Sequence, residues 1–326
     1  MKCTNCGADL ADSAKFCAEC GTKVVREVFC AQCGTKLAAG AKFCPECGTK
    51  VGAAANPEPL LTIEDGVLTK CDHKAEGEVI IPEGVTKIGS EAFEKCKKIT
   101  SVVIPEGVTE ISEKAFLFCN ALASVVIPES VTKIGTNAFH VCTALASVVI
   151  PASVTEISEG AFAGCESLAS VVIPEGVTEI GEMAFGGCLA LASVEIPDSV
   201  AKIGEMAFAG CDSLASVVIP ESVTAIGERA FGGCLALASV EIPESVTAIG
   251  KHTFSGCKAL ASVVIPDSVA KIGLEAFWKC TSLSSIRFGG TKKEWKAVEK
   301  GDDWHEGVPA KGVECSDGMV KFGLFG

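Results

Sequence analysis

The chain has 326 residues, of which 48% are hydrophobic, so it is long enough for more than one domain and apolar enough to bury a sizeable core. Its formal net charge of −13 discourages binding to nucleic acid or to anionic membranes through charge alone. No run of 18 apolar residues occurs, and Met1 and Lys2 lead directly into Cys3 without room for a secretory signal, so we expect a cytoplasmic protein.

The N-terminal segment carries eight cysteines in two copies of the spacing C-x2-C-x10-C-x2-C. They are Cys3, Cys6, Cys17, Cys20, Cys30, Cys33, Cys44 and Cys47. The words AKFCAECGTKV and AKFCPECGTKV, which begin at Ala14 and Ala41, indicate a tandem duplication. Each C-x2-C pair is followed by glycine and looks like a zinc knuckle, and four thiolates form the closed tetrahedral set of a structural zinc site. The segment therefore resembles two tandem zinc ribbons, each holding one structural Zn²⁺ through its own four cysteines.

Other roles of this segment fit less well. A redox role is disfavoured because thioredoxin-type C-x-x-C motifs occur singly in a βαβ context, which is missing here. Catalytic zinc is disfavoured because four protein ligands leave no open position for water. Fifty residues with almost no large apolar side chains need a metal to fold, which favours structural zinc. Contact with nucleic acid through the ribbons stays open, although no basic stripe with interleaved aromatic residues follows.

Residues 52–60 read GAAANPEPL, a small, proline-containing stretch that is typical of a linker. The next residues alternate in polarity around Asp65 and Gly66, which is a strong signal for a β-hairpin. A repeat array with an open end would expose apolar core and a strand edge, so we expect this hairpin to cap the array.

A 23-residue unit then recurs nine times between about Val79 and Phe288, without an insertion or deletion. Phenylalanine recurs at Phe93, Phe116, Phe139, Phe162, Phe185, Phe208, Phe231, Phe254 and Phe277, and cysteine recurs three residues after each. In the unit LASVVIPESVTKIGTNAFHVCTA, Val125 and Ile127 alternate with Val126 as in a short strand that ends at proline. A second, shorter strand around Ile134 and one helical turn around Phe139 complete the coil. No unit can bury its own apolar residues, so the units are predicted to stack into a solenoid.

These units resemble the BspA-like (Treponema pallidum-type) leucine-rich repeat, whose pattern L-x-x-I-x-I-P-x-x-V-x-x-I-G-x-x-A-F-x-x-C they match at nearly every position. The resemblance covers roughly residues 60–325. It implies a curved, right-handed solenoid with the Val125-type strand on its concave side, used for binding other macromolecules. Family members with export signals act as surface adhesins, and the expected lack of such a signal here argues against that role.

After the last strand, Gly289 and Gly290 break the repeat, and Thr291 with Glu294 forms a capping box for a helix that is predicted to run through Lys300. Asp317 and Gly318 predict a second closing hairpin. The segment Gly290–Trp295 follows the pattern G-T-x-x-E-W, and the resemblance to BspA-like repeats implies a closing segment of this pattern.

The array offers no catalytic constellation. Its nine repeating cysteines are expected to be inert buried thiols, and the histidines lack a second ligand at a suitable spacing. The repeating serines lack a neighbouring base and an oxyanion site, so we expect no enzymatic activity. Acids recur directly after the proline in eight of the nine units, at Glu83, Glu106, Glu129, Glu175, Asp198, Glu221, Glu244 and Asp267, and are interpreted as a solvated column.

Between the inward strand positions, one outward residue per coil is mostly aliphatic. The predicted contact residues are Val103, Val126, Val149, Val172, Glu195, Val218, Glu241 and Val264. An exposed apolar strip usually marks an interaction site. The alternative, that valine is kept only for its strand propensity, stays open.

The sequence thus predicts a non-enzymatic, monomeric protein-interaction scaffold with two structural Zn²⁺ ions, an unidentified protein partner and no membrane contact. A nucleic-acid or transcription-associated adaptor working through the ribbons is the alternative, and a surface adhesin the second alternative. The predicted domains are zinc ribbons at 1–26 and 27–51, a linker at 52–60, a hairpin cap at 61–78, the leucine-rich repeat solenoid at 79–288 and a C-terminal cap at 289–326.

Overall fold

The computed structural model describes residues 28–29, 36–37, 46, 48 and 60–323. The chain forms two compact units, Met1–Pro59 and Leu60–Gly326. In the first unit, strands β1 (Val28–Phe29) and β2 (Lys36–Leu37) pair antiparallel. The eight predicted zinc ligands and residues 52–59 of the predicted linker lie outside the described residues. The domain boundaries given above stay predictions.

The second unit begins with the hairpin that the Asp-Gly signal predicts. Strands β3 (Leu61–Glu64) and β4 (Val67–Cys71) pair antiparallel. The turn residues Asp65 and Gly66 have φ of 49° and 76°, the left-handed values that a tight two-residue hairpin turn requires. Because β4 also pairs in parallel with the strand Lys87–Ile88, the hairpin continues one sheet face of the array and covers its first edge.

The array itself is a solenoid in which each coil contributes one longer and one two-residue strand. In chain order the strands are β5 (Glu76–Ile80), β6 (Lys87–Ile88), β7 (Lys98–Val103), β8 (Glu110–Ile111), β9 (Ser124–Val126), β10 (Lys133–Ile134), β11 (Ser147–Val149), β12 (Glu156–Ile157), β13 (Ser170–Val172), β14 (Glu179–Ile180), β15 (Ser193–Glu195), β16 (Lys202–Ile203), β17 (Ser216–Val218), β18 (Ala225–Ile226), β19 (Ser239–Glu241), β20 (Ala248–Ile249), β21 (Ser262–Ile265), β22 (Lys271–Ile272) and β23 (Ser285–Phe288). We call the face built from the odd-numbered strands β5–β23 the valine face and that built from the even-numbered strands β6–β22 the short-strand face.

Equivalent residues of successive coils lie side by side on both faces, and each face divides into three sheets, with breaks in strand pairing after β9 and β17 on the valine face and after β10 and β18 on the short-strand face. On the valine face Ser147 pairs with Ser170, and on the short-strand face Ile157 pairs with Ile180, both in parallel. The 23-residue repeat therefore appears directly as strand register. This confirms the predicted solenoid of leucine-rich coils.

The third side of each coil, predicted as one helical turn, consists of hydrogen-bonded tight turns. Around Phe139, the N–H groups of Ala138, His140 and Cys142 donate within the coil, whereas those of Phe139 and Val141 donate to Ala161 and Ala163 of the next coil. Val141 has a left-handed φ of 57°, and five later coils place glycine at this position, where the conformation carries no steric cost. Because every second N–H group donates to the next coil, the turns of successive coils are joined by backbone hydrogen bonds. In a helix these N–H groups would donate within the same coil instead.

The core is a continuous column of apolar side chains inside the coils. The nine repeating phenylalanines are fully buried, and neighbouring rings stack nearly parallel with centroids 4.7 to 5.7 Å apart. The leucines, isoleucines and inward valines of each coil are buried around them. Stability is therefore shared between each coil and its two neighbours.

The repeating cysteines are buried and make a contact that sequence analysis missed. The thiol of Cys188 donates a hydrogen bond to the backbone carbonyl of Phe162, 3.3 Å away, and the same arrangement repeats from Cys119 to Cys280. The Phe162 carbonyl also accepts from the N–H of Cys165, so both of its acceptor positions are used. The thiol is thus a buried donor as well as a small apolar group.

Replacing Phe185 by alanine is expected to destabilise the array by about 3 to 5 kcal/mol, because it leaves a cavity between two rings that stack on Phe185 at 5.5 Å. Cys188→Ala should cost about 1 to 2 kcal/mol, since it removes one hydrogen bond and a smaller volume. Urea unfolding followed by circular dichroism measures both. Equal losses for the two variants would contradict this division of roles.

The C-terminal end is closed by a short helix and further strands. They are α1 (Lys292–Ala297), β24 (Glu299–Lys300), β25 (Gly312–Cys315) and β26 (Gly318–Lys321). The predicted capping box of Thr291 and Glu294 is present. Trp295 and Trp304 are buried, and Trp304 packs edge-on against Phe277 with a centroid distance of 6.2 Å. These two side chains close the phenylalanine column.

The helix ends three residues earlier than predicted. Instead of continuing to Lys300, the chain returns to an extended form, and the N–H of Glu299 donates to the carbonyl of Ala270 at 2.9 Å. Pairing of β24 with β22 extends the short-strand face by one strand, which satisfies edge groups that a longer helix would leave unpaired. The second hairpin turns at Ser316 and Asp317, so Gly318 already belongs to β26.

Candidate functional site

The eight predicted contact residues form one column on the valine face. We call this column, from Val103 to Val264, the valine ridge. Strand register places Val149 beside Val172, Val172 beside Glu195, and Glu195 beside Val218. The sequence periodicity therefore corresponds to a real row of neighbours.

Most of the ridge is open to solvent. Val126, Val149, Val172 and Val218 are 67%, 68%, 68% and 73% exposed, and Glu195 and Glu241 are exposed as well. Val103 is less open at 39%, and Val264 is half-buried. The alternate positions, such as Val125 and Val148, are buried. The exposure of these side chains agrees with the alternation in the sequence.

Small residues border the ridge on one side and acidic residues border it on the other. Residues such as Ala123 and Ser124, which precede each ridge position, are exposed and small. Three positions after the ridge residue, the chain turns toward the short-strand face, and the acids from Glu83 to Asp267 lie exposed at this corner. We call these eight acids the acidic column.

The acidic column differs from the acids of the short-strand face in its ion pairing. Glu110, Glu179 and Glu299 accept salt bridges from lysines of adjacent coils at 3.0, 2.6 and 2.8 Å. Within the described part of the chain, no lysine or arginine forms a salt bridge with any of the eight acids of the column. Among the described residues, the column therefore has no cationic side chain paired with it, and Glu129 accepts one hydrogen bond from the backbone N–H of Ala152.

A second row of acids borders the short strands and was missed in the sequence. Glu159, Glu182, Glu205 and Glu228 recur at the same 23-residue interval and line an open groove of about 460 Å³ together with Lys202. Lys202 and Lys251 pair with acids here, which reduces the local charge. The signal was visible in the repeat, because each of these acids stands two residues after the isoleucine of its short strand, behind Ser158 in one coil and behind glycine in the other three.

The buried thiols of the array have low reactivity. Burial raises the pKa of Cys142, Cys165, Cys188 and Cys234 well above the ordinary value, and raises that of Cys211 and Cys280 to about 12. A thiol of this kind stays protonated at neutral pH and is a poor nucleophile.

The histidines do not form a site. His140 and His305 have a buried Nδ1 without a partner, and burial lowers the pKa of both. His252 lies 3.3 Å from Glu275 and His73 is exposed. Among the described residues, no three histidine, cysteine or acidic side chains come close enough to hold a metal ion. In the same part of the chain, no helix has the length and apolar character needed to cross a membrane.

Comparison with known families finds two matches along the chain. The model of the BspA type leucine rich repeat region matches residues 61–192 and 178–297, with six copies. The model of the double zinc ribbon matches residues 3–48, the segment that carries the eight predicted ligands. A comparison with curated proteins found no match.

Solved structures with similar chains are also leucine-rich repeat proteins. The leucine rich repeat protein of T. pallidum is 35% identical over 50% of this chain and 68% of its own, with a TM-score of 0.41. A leucine rich cell surface protein from Faecalibacterium prausnitzii is 27% identical over 74% and 98%, with a TM-score of 0.33. A leucine-rich repeat protein from Bacteroides ovatus is 25% identical over 73% and 83%, with a TM-score of 0.35.

Proposed function

Because the chain belongs to the BspA type leucine-rich repeat family, we propose that it is a non-enzymatic scaffold that binds a protein partner on its valine ridge. The observation that carries the proposal is the exposure of Val126, Val149 and Val172 on three successive coils. Aliphatic side chains in a contiguous exposed row usually mark a contact surface, and each coil could have placed a polar residue there without loss of core.

Changing Val126, Val149 and Val172 together to serine tests this function. The side chains lie outside the core, so the variant should lose only about 1 kcal/mol of stability through lower strand propensity. Proteins captured from a lysate of the native cells should be lost from the variant, since hot-spot truncations cost about 2 kcal/mol or more each. Circular dichroism verifies that the variant is folded.

The matched control replaces three exposed acids beside the short strands, Glu159, Glu182 and Glu205, by glutamine. It should capture the same proteins as the unchanged chain. If the serine variant also captures them undiminished, the ridge is not the contact surface and the valines serve as strand formers only.

We propose further that the N-terminal double zinc ribbon holds two structural Zn²⁺ ions, each through four cysteines. The donor set fits this metal, because four thiolates complete its tetrahedral shell and leave no open position. The antiparallel strands β1 and β2 flank Cys30 and Cys33 in the sequence, which suits a hairpin carrying a zinc knuckle at its turn.

The ribbons supply the second candidate function, an adaptor that contacts nucleic acid. The double zinc ribbon match favours it, whereas the net charge of −13 opposes it. Binding of the full chain to DNA or RNA with a steep salt dependence would support the adaptor, and binding that is absent at low salt would rule it out.

We propose a reducing compartment as the site of action. Eleven cysteines of the second unit are free and buried, and the predicted zinc thiolates would be lost on oxidation. Cell fractionation tests the cytoplasmic location against a surface location such as that named for the F. prausnitzii protein.

A further inference from the structure

We propose that the partner of the valine ridge is a cationic amphipathic helix whose apolar stripe packs on the ridge and whose lysine or arginine residues face the acidic column. This inference rests on the proposed function, because it assumes that the ridge is a protein contact surface. It goes further in naming the chemistry and the secondary structure of the partner.

Charge complementarity is the first argument. The acidic column follows the ridge at an interval of three residues, at most about 10 Å along the extended chain. The salt bridges described above neutralise acids of the short-strand face and none of the column. A partner with cations on one side of its apolar stripe would supply the missing counter-charges.

The ridge itself also favours a partner that carries a cation. Glu195 interrupts the aliphatic row directly after Val172 and is exposed. A purely apolar stripe would cover this carboxylate without pairing it, which costs free energy. A stripe of three aliphatic residues followed by a lysine matches the sequence of coils from Val126 to Glu195.

Spacing argues for a helix. Paired strands lie about 4.8 Å apart, which holds for Val149, Val172 and Glu195, and the strand of Val126 packs beside that of Val149 without pairing, so the four positions lie at about 0, 4.8, 9.6 and 14.4 Å. Helical residues i, i+3, i+7 and i+10 lie on one stripe at about 0, 4.5, 10.5 and 15 Å. Same-face residues of a β-strand recur every 6.6 Å or so, and would lose register after one coil.

Charge also disfavours a second copy of this chain as the occupant. Two ridges in contact would bring two acidic columns to one interface. The described strands of the valine face offer only two exposed outward cations, Lys98 near the first end and Arg287 at the last, and each lies within salt-bridge distance of an acid of its own chain. The like charges of the two columns would repel each other and oppose association of the two copies. The apolar row alone would allow a dimer, but its acidic border does not favour one.

The test measures binding of a labelled synthetic helix to the full zinc-loaded chain by fluorescence anisotropy. The probe is an alanine- and lysine-rich peptide with leucine at i, i+3 and i+7, lysine at i+10, and further lysines along one flank. One control peptide carries glutamate in place of every lysine. The other has the composition of the probe but places its leucines at alternate positions. Only the probe should bind.

Three variants of the protein locate the site. Serine at Val126, Val149 and Val172 should weaken binding at least about tenfold. Glu129→Gln with Glu175→Gln and Asp198→Asn should weaken it about fivefold and flatten its salt dependence. The control with Glu159, Glu182 and Glu205 changed to glutamine removes the same number of charges and should change affinity less than about twofold.

Several outcomes would overturn the inference. If the control variant and the column variant weaken peptide binding equally, the peptide is attracted by the net charge of the protein and not by the acidic column. Equal binding of the glutamate peptide would show that the column plays no part. Equal binding of the alternating peptide would show that an apolar stripe at helical spacing is not required, which overturns the inferred partner. If the lysine helix fails to bind while native proteins are still captured in a ridge-dependent way, the partner class is wrong and the proposed function stands.

Discussion

Raising the pH from 8 to 11 is expected to unfold the repeat array, because each buried thiol withdraws roughly 1.4 kcal/mol of stability per pH unit above its ordinary pKa. Eight thiols contribute, and burial raises the pKa of each. They are Cys119, Cys142, Cys165, Cys188, Cys211, Cys234, Cys257 and Cys280. All are fully buried in the folded array.

The sign follows from where the protons are held. A free thiol has a pKa of about 8.5, so the unfolded chain loses these protons above that pH while the folded chain keeps them. Their contribution is therefore complete below about pH 8.5 and is lost as the pH rises toward the folded pKa, about 12 for Cys211 and Cys280. If the array unfolds in one step, the combined slope is roughly 11 kcal/mol per pH unit, comparable to the whole stability of a domain.

Urea unfolding of the full chain at pH 8, 9 and 10 under a phosphine reductant measures this slope. The chain contains no tyrosine, so phenol groups do not titrate in the same window. Cys165→Ala removes one of the eight thiols and should reduce the slope by about 1.4 kcal/mol per pH unit. A free energy of unfolding that stays constant between pH 8 and pH 10 would contradict the burial of the thiols.

The alkaline prediction depends on a feature that the sequence revealed only in part. The repeat of Phe185 and Cys188 at a fixed interval predicts that both point inward, and both are fully buried. It does not predict the hydrogen bond from Cys188 to Phe162, because that contact depends on how closely one coil lies on the next. Periodicity determines which residues face inward, whereas the distance between coils determines which polar groups meet.

The same distinction explains the two local differences. One helical turn was expected around Phe139 because three inward residues fit a helical spacing, but the N–H groups of Phe139 and Val141 find better partners in the next coil. Likewise, the helix after Thr291 was expected to reach Lys300, yet Glu299 pairs with β22. In both places hydrogen bonds between coils override the local preference for a helix. The sequence of a single unit does not reveal these bonds.

For the candidate site, the sequence was informative about position and silent about charge balance. The alternation around Val126 predicts an outward side chain, and Val126 is exposed. The acids that follow eight of the nine repeat prolines were also visible, but only the structure shows that lysines pair with Glu110 and Glu179 and with none of the acidic column. The salt bridges of Glu110 with Lys87 and of Glu179 with Lys202 join residues 23 positions apart on adjacent coils, so their pattern depends on how the coils stack.

Purified full-length protein is expected to hold two Zn²⁺ ions, and chelation is expected to unfold the N-terminal segment while leaving the array intact. Structural zinc contributes roughly 10 to 16 kcal/mol in modules of this kind, and the segment has too few large apolar residues to fold without it. Metal analysis gives the count. Limited proteolysis with and without a chelator should show new cleavage before residue 60 only, with the strand signal in circular dichroism nearly unchanged.

Two variants assign the metal to its ligands. Cys44→Ser combined with Cys47→Ser should leave one Zn²⁺ per chain, because it removes half of one four-thiolate set. Cys165→Ala should leave both ions in place, since burial keeps the Cys165 thiol protonated and a metal ligand must be a thiolate. Zinc lost from the Cys165 variant, or fewer than two ions in the unchanged chain, would contradict the division of the cysteines into metal ligands and buried donors. That division predicts opposite chemistry for one residue type in one chain: metal removal should expose eight reactive thiols to an alkylating reagent at neutral pH, whereas those of the array should react only once alkali has unfolded the coils.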